Sequence, residues 1–263
     1  MKRRIQKIYG LFFAGLALFL LKSCSEDAKN EDTGQELSQT EVQTILFSDE
    51  ITGVADNALA ELFAGNTMSG KTGKSNECYS AEYTETGFTA TFNNCVLNGT
   101  DNVNGTLTVV YEVGEESASF TATYEDFYVG TIKINGTRSF NIAGNVDENT
   151  VSFSVTSNVT VELENGSVIS EAGTKTFSFT FGAELQNSSF SLSGSWTVQA
   201  EGNTYIVETV DALQGSLSCE HLTSGSMEIS KNGLQVTVDF GDGECDDRAT
   251  LIYPNGATEE ITL

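Results

Sequence analysis

Gly87–Val109 reads GFTATFNNCVLNGTDNVNGTLTV, and Thr176–Val198 reads TFSFTFGAELQNSSFSLSGSWTV. In the first, Phe88, Ala90 and Phe92 alternate with Thr89 and Thr91. In the second, Phe177, Phe179 and Phe181 alternate with Ser178 and Thr180. A period of two with apolar residues on one side and hydroxyls on the other predicts antiparallel strands packed on one face. The same pattern recurs at Phe120, Ala122 and Tyr124, at Val151, Phe153 and Val155, and at Leu234, Val236, Val238 and Phe240.

Turn signals separate these runs: Glu115-Glu116, Asp147-Glu148-Asn149, Asn165-Gly166, Gly202-Asn203, Asn232-Gly233 and Asn255-Gly256. Asn-Gly suits a two-residue hairpin because both residues tolerate positive φ. Pro254 is the one proline. With so little to interrupt them, the strands are expected to be long. The reading is all-β: a large antiparallel meander over residues 77–263, closed as a sandwich or curled as a half-open barrel.

The two quoted stretches align without a gap at an offset of 89 residues. Phe88 meets Phe177, Phe92 meets Phe181, Gly105 meets Gly194 and Val109 meets Val198. The alignment suggests an internal duplication, with repeats at 86–170 and 175–258. The cysteines do not follow it.

Upstream, Thr40–Gly65 carries helical spacing. Val42, Ile45 and Leu46 form one stripe, and Val54, Ala55, Ala58, Leu59, Leu62 and Phe63 form a second. Ser48 is a candidate N-cap, with Asp49 and Glu50 in the first turn, and Gly65 is a candidate stop. A helical segment and loop are therefore expected over 40–76, the helix covering an apolar face of the sheet.

The N-terminus carries an address. Lys2, Arg3, Arg4 and Lys7 precede the apolar run Ile8–Leu21, and Leu21-Lys22-Ser23-Cys24 follows. The run is shorter than the ~20 apolar residues that span a bilayer, so it reads as a signal-peptide core. Residues 1–23 are thus a lipoprotein signal peptide, Cys24 takes a diacylglycerol, and the acidic stretch 24–39 is a flexible tether. Cleavage before Cys24 removes Lys2, Arg3, Arg4, Lys7 and Lys22 and none of the 37 acidic residues, which deepens a formal charge of −24. Such a body is repelled by nucleic acid. The membrane is a partner through the lipid; a protein or glycan partner is left open.

Apart from Cys24 the cysteines are Cys78, Cys95, Cys219 and Cys245. An even number in an exported chain points to disulfides, with free thiols as the alternative. Proximity favours Cys78–Cys95 and Cys219–Cys245.

The densest polar cluster is DFGDGECDD, Asp239–Asp247. Oxygen ligands on a glycine-hinged loop suit calcium, so Asp239, Asp242, Glu244 and Asp246 are candidate ligands. The spacing is not that of an EF-hand, and an acidic loop between strands is the plainer reading. No other cofactor is suggested. His221 is the one histidine, read as lying on a strand with no nucleophile motif around it. No carboxylate pair stands out for glycoside hydrolysis. Trp196, Tyr124 and Tyr128 are candidates for stacking on a sugar, with core packing the plainer role. An enzyme is not expected.

ATYEDFYVGTIKINGTRSF (Ala122–Phe140), GSLSCEHLTSGSMEI (Gly215–Ile229) and VDFGDGECDDRATLIYPNGATEEITL (Val238–Leu263), with the Cys24 region, resemble a group of functionally uncharacterised lipoproteins from Bacteroidota. In that group, acidic residues after the lipidated cysteine accompany export to the cell surface, and Ser25-Glu26-Asp27 fits. Lys22 departs from the small or apolar residue common there. The resemblance implies a lipid-anchored outer-membrane protein facing the cell surface, and no activity. Three functions are compatible: a non-enzymatic binding or envelope-structural module, a carrier of a small apolar ligand or lipid, and a glycan-active enzyme.

If Cys24 carries the lipid, Cys24→Ser moves the protein out of the membrane fraction and abolishes metabolic labelling with a radiolabelled fatty acid. Retention of both would refute the anchor.

Overall fold

The computed structural model describes residues 36–67, 78–96, 102–113, 118–145, 149–184 and 187–263. Cys24, the signal peptide and most of the expected tether lie outside them, as do 68–77 of the expected loop.

The first element is a helix, α1 (Gln39–Thr67), followed by thirteen strands. They are β1 (Tyr79–Thr84), β2 (Gly87–Cys95), β3 (Val103–Val113), β4 (Ala118–Val129), β5 (Ile132–Asn145), β6 (Thr150–Glu162) and β7 (Val168–Thr180). Then come β8 (Ser189–Ala200), β9 (Asn203–Ser216), β10 (Ser224–Lys231), β11 (Leu234–Asp242), β12 (Arg248–Ile252) and β13 (Thr258–Thr262). All thirteen join one open antiparallel sheet in chain order, with β1 and β13 at its edges. The sheet does not divide into the two layers of a sandwich.

One face of the sheet carries the core. Phe88, Ala90 and Phe92 are buried on β2, and Val236, Val238 and Phe240 on β11. Phe181, expected in the same series, lies one residue past the end of β7 and is exposed. Against this inner face lies α1. Val42 and Ile45 join the apolar cluster built from β7–β13, and Ile51, Ala55, Leu59 and Leu62 join the cluster built from β1–β6. The helix therefore ties both parts of the sheet into one core. Fully burying each of the larger helix side chains, Val42, Ile45, Ile51, Leu59 and Leu62, is worth about 1.5–3 kcal/mol.

The helix begins earlier than the sequence reading placed it. Ser38 is the N-cap. The Glu41 N–H donates to Ser38 Oγ (3.3 Å), while the Ser38 N–H and hydroxyl each donate to Glu41 Oε2 (2.9 Å). This S-x-x-E capping box satisfies amides that helix geometry leaves unpaired. Leu37 before the cap and Val42 after it are both fully buried in one cluster, the arrangement of a hydrophobic staple. Leu37 thus belongs to the core, not to a tether. Ser48 is no cap: it sits mid-helix, buried, its hydroxyl donating to the Ile45 carbonyl at 2.7 Å. Val42, Ile45, Ser48, Ile51, Ala55, Leu59 and Leu62 thus make one continuous buried face, while the side chains of Val54, Ala58 and Phe63 in the expected second stripe lie outside those described. Gly65 does not stop the helix, which runs on to Thr67.

Bulges interrupt several strand pairs. At the β3–β4 bulge, Gly105 has φ +99° and its Cα lies against the Asp126 carbonyl, where a Cβ would collide. Gly194, its counterpart in the repeat alignment, has different surroundings. A Cβ there would meet the Thr174 carbonyl of the preceding strand, β7. Gly105 pairs with Phe92, whereas Gly194 pairs with Lys175. The aligned residues thus sit in differing registers.

Ser38→Ala is expected to lower stability by about 1 kcal/mol in urea unfolding, the usual value of an N-cap, while Ser48→Ala stays within about 0.5 kcal/mol. The reverse ranking would contradict this placement of the helix start.

Candidate functional site

Residues that stand abreast on the inner face change from apolar to polar and back. Phe88, Val109 and Ala122 on β2–β4 lead into Arg138, Ser157 and Gly173 on β5–β7. Trp196 on β8 and Val207, Ile229 and Val236 on β9–β11 complete the row. Glu171 and Lys175 flank Gly173 along β7. The result is a buried polar centre between the two apolar clusters.

In that centre, Lys175 Nζ donates to Glu171 Oε2 at 2.8 Å, with both side chains buried. Same-strand residues four apart share a face, which is how β7 brings them together. The Lys175 ammonium also lies 4.5 Å from the Trp196 ring centroid, a cation–π arrangement. Gly173 makes room for Trp196, because a Cβ there would collide with the Trp196 backbone and Cβ. Trp196 is 2% exposed and is core, not a sugar platform.

Two further clusters bind α1 to the sheet. Arg138 Nη1 donates to Asp56 Oδ2 at 2.8 Å, and the Tyr124 hydroxyl donates to Asp56 Oδ1 at 3.4 Å. The Arg138 side chain is 5% exposed and that of Asp56 34%. Fifteen residues up the helix, about 22 Å by helix rise, Glu41 Oε1 takes the Lys231 ammonium and a hydrogen bond from the Tyr205 hydroxyl at 3.0 Å. One tie reaches β4 and β5, the other β9 and β10.

These ties shift proton affinities. Burial raises Glu41, but Lys231, the Ser38 N–H and hydroxyl and Tyr205 outweigh it and hold the carboxyl at about 2. Burial pushes Asp56 up to about 6 against the pull of Arg138 and Tyr124, so it is ionised at neutral pH. Burial and the Glu41 carboxylate push Tyr205 up to about 12. Tyr124 is raised further still, by burial and Asp56.

The sequence candidates lie elsewhere. Cys78 and Cys95 lie at disulfide distance, Cα atoms 5.2 Å apart, as do Cys219 and Cys245 at 5.8 Å. The first pair joins the approach to β1 to the end of β2; the second joins the β9–β10 and β11–β12 connections. Asp239, Asp242, Glu244 and Asp246 line a shallow depression of about 270 Å³ with Arg248 and Glu260. Asp239 accepts from the Gly241 N–H (2.9 Å) and Asp246 from the Arg248 N–H (3.1 Å), so both carboxylates shape turns. Among the described residues no three His, Cys, Asp or Glu side chains converge as a metal site. His221 lies in the connection between β9 and β10, not on a strand.

Depressions of about 150–410 Å³ lie at the outer turns and strands. The inner polar centre is instead packed between sheet and helix. Within it the charges pair, Lys175 with Glu171 and Arg138 with Asp56. Among the described residues no helix is long and apolar enough to cross a membrane. No family model, curated protein or solved structure matches the chain.

Asp56→Ala leaves the buried Arg138 guanidinium without this carboxylate, and is expected to cost about 2 kcal/mol, between exposed and fully buried ion pairs. Arg138→Met should cost less, since Asp56 reaches water. Glu41 has a folded-state pKa below its unfolded value, so the stability it contributes is present above about pH 4.5 and is lost as pH falls toward 2. Urea unfolding from pH 2 to 6 should show Glu41→Gln flattening that acid limb. An unchanged limb would show that the Lys231–Glu41 tie contributes nothing.

Proposed function

We propose that this chain is a lipid-anchored outer-membrane module facing the cell surface, acting by binding or by building the envelope and not by catalysis. The observation that carries this reading is the use of the inner face. Its charged groups are spent on one another and on α1, and the Val42–Leu62 stripe covers its two buried apolar clusters, while Phe120, Phe153, Phe177 and Phe179 farther along the same face stay partly buried. A carrier needs an apolar chamber of a few hundred Å³ that buries most of its ligand, and here the helix occupies the face such a chamber would use. The Cys24 sequence and the resemblance support the anchor and its location, and the acidic body suits a domain held in water by a lipid.

The test uses the full lipoprotein in detergent with polysaccharide, peptide and ester panels, with and without calcium, and with a fluorescent fatty acid. No turnover and no saturable probe binding are expected. Turnover abolished by a single carboxylate substitution would establish the glycan-active alternative, and stoichiometric probe binding the carrier.

A further inference from the structure

We propose that the outer face of β5–β8 is a docking surface for an uncharged polysaccharide. The proposal builds on the reading of the chain as a binding module and gives that module a ligand class.

The β5–β6, β6–β7 and β7–β8 pairs run in register over their whole length without a bulge. Their outward side chains therefore form an orderly grid. Thr121, Ser139, Thr156, Thr174 and Ser195 stand abreast on five adjacent strands. The next row holds Ser119, Asn141, Ser154, Thr176 and Ser193. Rows are ~6.8 Å apart along the strands and columns ~4.8 Å apart across them. Hydroxyls of facing strands hydrogen-bond to each other, as in Thr156–Thr174 (3.0 Å), Ser152–Ser178 (2.7 Å) and Thr121–Ser139 (2.8 Å).

The two rows carry no negative charge, in a chain with 37 acidic residues. Strands β5–β8 contain two carboxylates: Glu162, exposed on the outer face at the last residue of β6 and abreast of Lys133, and Glu171, which points inward. Acidic residues return at the border, where the Ser195 row continues into Glu208 and Glu228. A neutral ligand is therefore accepted on the grid, while an anionic polymer is repelled at its rim.

The side-chain chemistry chooses among neutral partners. A protein partner is usually held by aromatic or arginine anchors, and the two rows contain neither. They offer short side chains that lose little rotamer entropy on contact. Their hydroxyls both donate and accept, and recur at fixed spacing. A polymer of repeating hydroxyl groups matches that, trading water hydrogen bonds for sugar ones without desolvating a charge.

The test is retention of the full lipoprotein, in detergent, on microcrystalline cellulose, insoluble β-1,3-glucan and starch granules, with alginate beads as the anionic comparison. The wild-type protein is expected to bind at least one neutral polymer and not alginate. Ser139→Glu with Thr174→Glu, two columns apart, should weaken that binding about tenfold or more by burying unpaired charge. Thr174→Val, which stays neutral and branched, should weaken it less, and Ser80→Glu on β1 should leave it unchanged. Failure to bind any neutral polymer would overturn the proposal while leaving the non-enzymatic module standing. So would binding that neither grid variant alters, or a dimer that the glutamate pair dissociates, which would give the face to a second copy.

Discussion

An open sheet of thirteen strands has two problems that a closed barrel does not: a wide apolar face with no second layer, and two unpaired edges. Here a single helix answers the first. Packed on the inner face, α1 places Val42 and Ile45 in one cluster and Ile51, Ala55, Leu59 and Leu62 in the other. Two of its carboxylates, Glu41 and Asp56, are paired with cations from opposite parts of the sheet. At the β13 edge, Glu259 and Glu260 blunt pairing with another chain.

The polar centre follows from the same constraint. An ion pair costs more to bury than it usually returns, so Glu171–Lys175 is a weak argument for stability alone. Its consequence is geometric. Charges at inward positions of β5 and β7 can be covered only by a helix that brings a matching group, and Asp56 is that group for Arg138. The polar centre therefore fixes where α1 lies, while the apolar stripe supplies most of the attraction. The carboxylates and cations at the middle of these strands are thus used inside, and the middle of the outer face is left to small neutral side chains, with Lys133 and Glu162 at one end.

Much of this was legible in the sequence. The period-two runs and Asn-Gly turns marked the strands, and the cysteine spacing matched the two pairs. Strand register was not legible, because bulges at positions such as Asn104–Thr106 shift pairing without leaving a strong local signal. Closure as sandwich or barrel was equally open, since alternation is identical in both. The helix start was misplaced because Ser48-Asp49-Glu50 looked like a cap. The true signal was Leu37-Ser38-Gln39-Thr40-Glu41-Val42, where capping box and staple coincide. The buried charges were missed for a related reason. Arg138 shares strand parity with Ile134 and Phe140, and Glu171 and Lys175 share it with Ile169 and Phe177. A charge at core parity was there to be read, but a sequence with so many acidic residues obscured it.

Native-state hydrogen exchange of the full protein tests the central claim most directly. If α1 is an integral layer of the core, amides from Ile45 to Leu59 open only with global unfolding, at the same free energy and denaturant dependence as those of β5–β8. Exchange of the α1 amides through a separate low-energy opening, with the sheet still protected, would contradict the account. The helix would then be a detachable cover and the inner face a free surface.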